Sequence, residues 1–246
     1  MGQALNADAP RPARFVTTRW SLVAAAANGA SQDGRAALET LCQGAWLPLY
    51  AFARRGGASP EDAQDLVQSF FEALLEKGYV GQADRERGRF RTFLLAAFRH
   101  HASHEREKAR AEKRGGGAPI LSIDVDAGER QYAAEPVDDR SPERLYERRW
   151  ALSILDRVLA DLAASYDGER ATTFQVLRPL LVGTPGAGAV GEAAETLGMS
   201  DGAVRVALHR LRARYRDLLR ARIADTVAAP AEVDDEIRHL LAALAS

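Results

Sequence analysis

Cysteine is almost absent from this chain, because Cys42 is the only one among 246 residues. A single thiol excludes an internal disulfide and a zinc site built from several cysteines, and it favours a reduced, intracellular setting. Long apolar runs are also missing, since the longest one near the N-terminus covers only residues 22–27. That run is too short for a signal peptide, and no stretch approaches the roughly 20 apolar residues of a membrane-spanning helix. We therefore expect a soluble, cytoplasmic protein without a membrane partner.

Patterns typical of catalysis and metal binding are lacking as well. His100 and His104 stand one helical turn apart, a spacing that suits zinc, but no further cluster of ligands accompanies them. The glycine-rich stretch from Gly183 to Gly188 does not end in the Lys-Ser/Thr pair of a phosphate-binding loop. No arrangement of a nucleophile with a partner base stands out. We expect no metal, no cofactor and no enzymatic activity.

The charges are segregated along the chain, although the net charge is only −1. Residues 85–114 hold ten Arg and Lys against four Glu, whereas residues 115–147 hold eight Asp and Glu against three Arg. Residues 201–222 hold seven Arg against two Asp. Two basic segments separated by an acidic one predict two contact surfaces, each suited to the phosphates of nucleic acid.

The apolar residues recur at helical spacing nearly everywhere, and no alternating strand pattern of useful length is present. Residues 59–62 (Ser-Pro-Glu-Asp) and 141–143 (Ser-Pro-Glu) are helix starts, because serine caps, proline suits the first helical position and acids favour the positive helix end. Three glycines at 115–117 interrupt the pattern. We predict an all-α fold of two helical domains, at 15–114 and 141–226, with an acidic, glycine-rich linker at 115–140 and an amphipathic tail at 227–246. A short extended piece is expected at residues 120–125.

Residues 190–218 have the pattern of a helix-turn-helix. Ala193 and Ala194 allow close approach of a second helix, Gly198 permits the turn, and Ser200 caps the next helix. The second helix of such a motif enters the major groove of DNA, where arginine pairs with two acceptors of guanine. The alternative is an ordinary helical hairpin with a solvated arginine face. The candidate DNA-binding residues are Ser200, Arg205, Val206, His209, Arg210 and Arg212.

A second basic segment, residues 85–114, interleaves arginines with aromatic residues. Aromatic rings stack on unpaired bases while cations hold phosphates, so this segment is a candidate for binding a single strand. Phe93, Leu94 and Phe98 follow the apolar stripe of a helix, and we assign them to the core. The contact candidates are Arg85, Arg87, Arg89, Phe90 and Arg91.

These segments, taken together and in this order, resemble the sigma-70 family of RNA polymerase sigma factors, extracytoplasmic-function subfamily. Residues 65–71 match the region 2.2 pattern D-[LV]-[VT]-Q-E-x-F, with Ser69 in place of the acid. Residues 90–94 match F-R-x-W-L, with Phe93 in place of tryptophan. Residues 203–210 resemble the region 4.2 pattern T-V-[KR]-S-R-L-x-R, where Val206 and Ala207 replace a polar pair.

The resemblance implies a transcription initiation factor that binds core RNA polymerase and promoter DNA, and it leaves room for an anti-sigma factor or another regulator. By this similarity, the loop and helix around Phe90 would hold the single-stranded minus-10 element, and the helix-turn-helix would bind the minus-35 element. The helix that begins at residues 59–62 would dock on the polymerase through Glu61, Asp65, Gln68 and Glu72. The residues alone also fit a solvated face on that helix. The alternative function is a stand-alone helix-turn-helix regulator that ignores the polymerase.

The C-terminal tail has a helical pattern of its own. Ile237, Leu240, Leu241 and Leu244 recur on one side of residues 234–244, and the acids at 234–236 suit the helix dipole. So short a helix is marginal in isolation, so it needs a surface on which to bury its leucines. Two interpretations follow: the tail completes the C-terminal core, or it docks across a DNA-binding or polymerase-binding face and restrains the free protein.

Overall fold

The computed structural model describes residues 32–76, 89–111, 125–133, 141–186, 188–224, 226–227 and 229–245. Within these ranges the secondary structure is helical and no strand occurs, which confirms the predicted all-α class. Short 3₁₀ turns at Arg178–Leu180 and Pro230–Glu232 precede or follow the longer helices. The helices are α1 (Gln32–Arg55), α2 (Pro60–Glu76), α3 (Phe90–Ala111), α4 (Val125–Ala133), α5 (Pro142–Ala164), α6 (Glu169–Leu177), α7 (Ala189–Leu197), α8 (Asp201–Ala224) and α9 (Val233–Ala245).

Two of these helices begin at the serine-proline pairs seen in the sequence. Ser59 Oγ accepts a hydrogen bond of 3.1 Å from the backbone N–H of Asp62 at the start of α2. Ser141 Oγ accepts one of 3.4 Å from the N–H of Arg144 at the start of α5. Each bond satisfies a backbone donor that the first helical turn leaves without a partner. The predicted starts of α2 and α5 are therefore confirmed.

One hydrophobic core joins the N-terminal helices to the C-terminal half of the chain. Phe70 and Phe71 of α2, Phe98 of α3 and Trp150 of α5 are each at most 2% exposed and belong to this core. Helix α1 packs along α5, and Val233 and Leu240 of α9 are buried in the same cluster. The burial of these large aromatic residues stabilises the fold, since each contributes about 2–3 kcal/mol.

A second core lies among α5, α6, α7 and α8. Its buried members include Leu162 of α5, Phe174 and Leu177 of α6, and Val204 and Leu211 of α8. Helix α5 thus contributes its first turns to one core and its last turns to the other. The two segments assigned to separate domains are in contact along α5, and the boundaries of those domains stay a prediction.

Part of the segment interpreted as a linker is helical. Helix α4 occupies Val125–Ala133, where no helix was expected. Val125, the last residue of the extended piece predicted at 120–125, is therefore helical. Residues 120–124 lie outside the described ranges. Glu129 holds α4 against α1, because Arg54 donates to it through Nη2 at 2.8 Å and through Nε at 3.1 Å. The hydroxyl of Tyr50 donates to the same carboxylate. The sequence pattern did not predict this contact, because nothing local to Glu129 indicates which residue it pairs with.

Candidate nucleic-acid interface

Helices α7 and α8 are joined by a three-residue turn, Gly198-Met199-Ser200, as the sequence predicts for a helix-turn-helix. Gly198 has a φ of +62°, a left-handed conformation that glycine adopts without steric cost. Ser200 Oγ accepts a hydrogen bond of 3.3 Å from the N–H of Ala203 and so caps α8. Ala193 and Ala194 are buried against the second core. The small residues and the turn fix how the two helices approach each other.

One face of α8 is open to solvent along its first three turns. Val204, Leu208 and Leu211 point into the core, while Arg205, Val206, His209 and Arg210 are exposed. Val206 is 51% exposed and stands among charged neighbours. The Arg205 side chain is 67% exposed and lies 3.9 Å from the Asp201 carboxylate, a weak contact that solvent screens. We call this surface the α8 face.

Arg212 does not belong to the α8 face, although it was predicted to bind DNA. Its Nη2 atom donates hydrogen bonds of 2.7 Å to the carbonyl oxygens of Leu180 and Gly183. The first carbonyl belongs to the last residue of the 3₁₀ turn after α6, and the second lies three residues farther along the loop. Arg212 therefore fixes the loop before α7 to the middle of α8. A run of arginines at helical spacing did not reveal which of them points back toward the protein.

The predicted polymerase-binding residues form a continuous stripe along α2. Glu61 and Asp65 are exposed, and Gln68 and Glu72 are half-buried. Their spacing of four, three and four residues keeps them on one side of the helix, beside the core stripe that contains Val67 and Phe70. These four side chains share one side of α2, and their role and partner stay a prediction.

Ser69, the position at which the chain departs from the family pattern, faces another helix. Its Oγ lies 2.9 Å from Nε2 of His101 on α3 and also donates to the carbonyl of Leu66 at 3.2 Å. The small hydroxyl thus links α2 to α3.

Among the residues predicted to hold a single strand, those that the structure describes are buried or paired with an acid. Arg85 and Arg87 lie outside the described residues. Phe90 is 3% exposed in the first core, and Arg91 is also 3% exposed. The expectation that Phe90 and Arg91 offer a free contact surface is therefore corrected for this conformation, because the ring packs near Trp150 and the guanidinium is paired.

The partner of this arginine pair is Glu236 on α9, which sequence reasoning assigned only to the helix dipole. Arg91 Nη1 donates to Glu236 Oε1 at 2.7 Å, and Arg89 Nε lies 2.8 Å from Glu236 Oε2. The Arg89 contact lacks hydrogen-bond geometry, since Oε2 accepts no hydrogen bond from the described residues. Glu236 is 1% exposed. A signal was present, because an acid that falls between Val233 and Leu240 on the apolar side of a helix requires a buried counter-charge.

The electrostatics of this pair reflect its burial. Burial lowers the pKa of Arg91, and the carboxylates of Glu236 and Glu147 oppose that shift. Tyr146 supports the same place, since its hydroxyl donates to the carbonyl of Arg91 at 3.0 Å. Arginine keeps its proton throughout the ordinary pH range, so the guanidinium side of this contact carries a full positive charge.

Among the described residues, no group of three or more His, Cys, Asp or Glu side chains is placed to hold a metal ion. None of the helices in those ranges is long and apolar enough to cross a membrane. Comparisons with protein-family models, with curated proteins and with solved structures return no match.

Proposed function

We propose that this protein is a sigma factor, which binds core RNA polymerase and directs it to promoters, and that it is not an enzyme. The observation that carries the proposal is the α8 face: two arginines, a histidine and a valine exposed on the helix that follows a capped turn. Such a face suits the major groove, where arginine reads guanine and an apolar side chain contacts the thymine methyl group. We assign the duplex minus-35 element to this face, and the cytoplasm is the expected location.

The acidic stripe of α2 supports the second half of the proposal. Exposed acids at Glu61 and Asp65 stand on a helix whose opposite side is firmly packed. Such a stripe suits a protein partner with a basic surface, where charge complementarity steers docking. We assign core polymerase to this stripe, in line with the family resemblance.

Charge reversal on α2 tests this assignment. Asp65→Arg should weaken binding to purified core polymerase at least about tenfold, because attraction becomes repulsion at the interface. The control is Asp156→Arg, which makes the same change at an exposed position of α5. Helix content by circular dichroism should stay unchanged in both. If core polymerase binds both variants and the parent chain equally, the α2 stripe is not the docking surface.

A stand-alone helix-turn-helix regulator is the second candidate. The observation that favours it is the contrast between the open α8 face and the closed residues Phe90 and Arg91. A regulator needs only the first surface. Stoichiometric binding to core polymerase separates the two functions, because a regulator binds duplex DNA and ignores the polymerase.

A further inference from the structure

Helix α9 meets the start of α3 through Glu236, whose carboxylate faces both Arg89 and Arg91. The contact joins residues 145 positions apart in the chain. A carboxylate on a guanidinium occupies the position that a phosphate would take, since both anions are bound by the same donors. Arginine cannot hold both at once with the same N–H groups. Any phosphate that binds this arginine pair therefore has to replace Glu236.

Apart from the buried side chains of Val233, Leu240 and Ala243, the rest of α9 is attached by contacts near the surface. Arg220 of α8 pairs with Asp234, but both side chains are at least half exposed. Arg148 of α5 donates to the carbonyl of Leu244 at 2.7 Å, and Leu241 is 55% exposed. Such exposed ion pairs add little to stability, and a helix of 13 residues is marginal without a surface to pack on. Displacement of α9 therefore costs mainly the burial of Val233 and Leu240.

A buried ion pair is also a costly way to fill a core. Two desolvated charges often stabilise a fold no more than apolar side chains of equal volume. Val233 and Leu240, which flank Glu236 on the same side of α9, show that apolar residues fit there. The carboxylate adds selectivity for the two arginines rather than hydrophobic stabilisation.

We propose that α9 is an intramolecular latch, in which Glu236 holds Arg89 and Arg91 closed in the free protein and releases them to a nucleic-acid strand. The role of the released arginines rests on the proposed function, in which this segment contacts the single-stranded promoter. Phe90 stays in the core when the latch opens, because it packs near Trp150 of α5. The strand therefore meets the guanidinium groups first.

The first test removes the charge of the latch and keeps its shape. Glu236→Gln should bind a fluorescein-labelled oligothymidylate about tenfold more tightly than the parent chain, the value of one charged hydrogen bond. The salt dependence should steepen by about 1.4 in the slope of log K against log salt, since each of two phosphates adds about 0.7. Asp235→Asn makes an equal charge change at an exposed neighbour and should bind like the parent. Arg91→Ala in the Glu236→Gln chain should abolish the gain. Equal affinities of Glu236→Gln and Asp235→Asn overturn the proposal.

The second test uses the parent chain, so it stands even if Glu236→Gln does not fold. Saturating oligothymidylate should raise hydrogen exchange of the α9 amides by at least about tenfold. The amides of α6, which lies in the second core, should not change. Unchanged or slower exchange in α9 overturns the latch. Neither test contains polymerase, so a failure to bind polymerase would remove the proposed function while leaving the latch, and the reverse also holds.

Discussion

Two groups of arginines in this protein have opposite environments. On α8, Arg205 and Arg210 are exposed, because the helix turns its other side to the second core. At the start of α3, Arg91 is 3% exposed and paired with Glu236, because α9 packs over it. The first group is open to solvent, whereas the second is covered by a carboxylate. Both segments are rich in arginine, but only the one at the start of α3 is covered by an acid from a distant part of the chain, Glu236.

Removal of the Arg91 guanidinium should give the largest difference between the two groups. Arg91→Ala leaves the buried Glu236 carboxylate with only the poorly aligned Arg89, and an uncompensated buried charge costs about 3 kcal/mol of unfolding free energy. Arg210→Ala should change that free energy by less than about 0.5 kcal/mol, as exposed substitutions do. Urea unfolding followed by tryptophan fluorescence measures both. Equal, small changes would contradict the buried pair.

The α8 face should respond in binding rather than in stability. Arg205→Ala or Arg210→Ala should cost about 1–3 kcal/mol of affinity for promoter duplex, concentrated at one base pair, if the arginine pairs with guanine. Val206→Ala should cost no more than about 1.6 kcal/mol, because it removes two methyl groups from a contact with thymine and each buried carbon contributes about 0.8 kcal/mol. Fluorescence anisotropy with single-base variants of the duplex measures each. A loss that is uniform over unrelated sequences would assign the arginine to phosphate instead.

Arg212 should behave unlike its neighbours on α8. Arg212→Ala removes two hydrogen bonds to the carbonyls of Leu180 and Gly183 and should cost about 1–2 kcal/mol of unfolding free energy. Base preference should stay that of the parent chain. Thermal unfolding measures the first effect, and binding to single-base variants measures the second. A shift in base preference without loss of stability would return Arg212 to the α8 face.

The smallest effect is expected at α4. Hydrogen bonds from Arg54 and Tyr50 hold the pKa of Glu129 below its ordinary value near 4.5, and partial burial opposes them. A carboxyl whose pKa is lowered by folding stabilises the folded state at pH values above the pKa that it has in the unfolded chain. This contribution is lost as the pH falls through the pKa that it has in the folded state. The loss should not exceed about 1 kcal/mol, because the pair is partly exposed. Urea midpoints at neutral and acidic pH should differ less in Glu129→Gln than in the parent chain, and an identical pH dependence contradicts the contact.

Local features of the fold were predictable, whereas contacts between distant segments were not. The starts of α2 and α5 follow from Ser59 and Ser141, and the turn before α8 follows from Gly198, since capping and left-handed glycine act within a few residues. The pairing of Arg91 with Glu236 depends on how α9 packs, which no local pattern records. For the same reason the contacts of α1 with α5, and of α4 with α1, were missed.

The spacing of apolar residues in the C-terminal tail predicted a helix and most of its buried side. Leu240 is buried, Ile237 and Leu244 are half-buried against the first core, and Leu241 is exposed. The helix and most of its apolar side follow from the spacing, and the need for a partner surface is met within the chain by α5 and α8. The spacing did not distinguish a helix that completes the core from one that restrains the free protein. The two interpretations differ in the role that they give to Glu236.

Run-off transcription with purified core polymerase separates a sigma factor from a stand-alone regulator. The template is the DNA upstream of the protein's own coding sequence, and the parent chain is compared with Asp65→Arg and Arg205→Ala. We expect a discrete transcript that requires the chain, is reduced by each substitution and is absent with core polymerase alone. Binding of the chain to duplex DNA without association with core polymerase, and no chain-dependent transcript, would contradict this expectation and favour the stand-alone regulator.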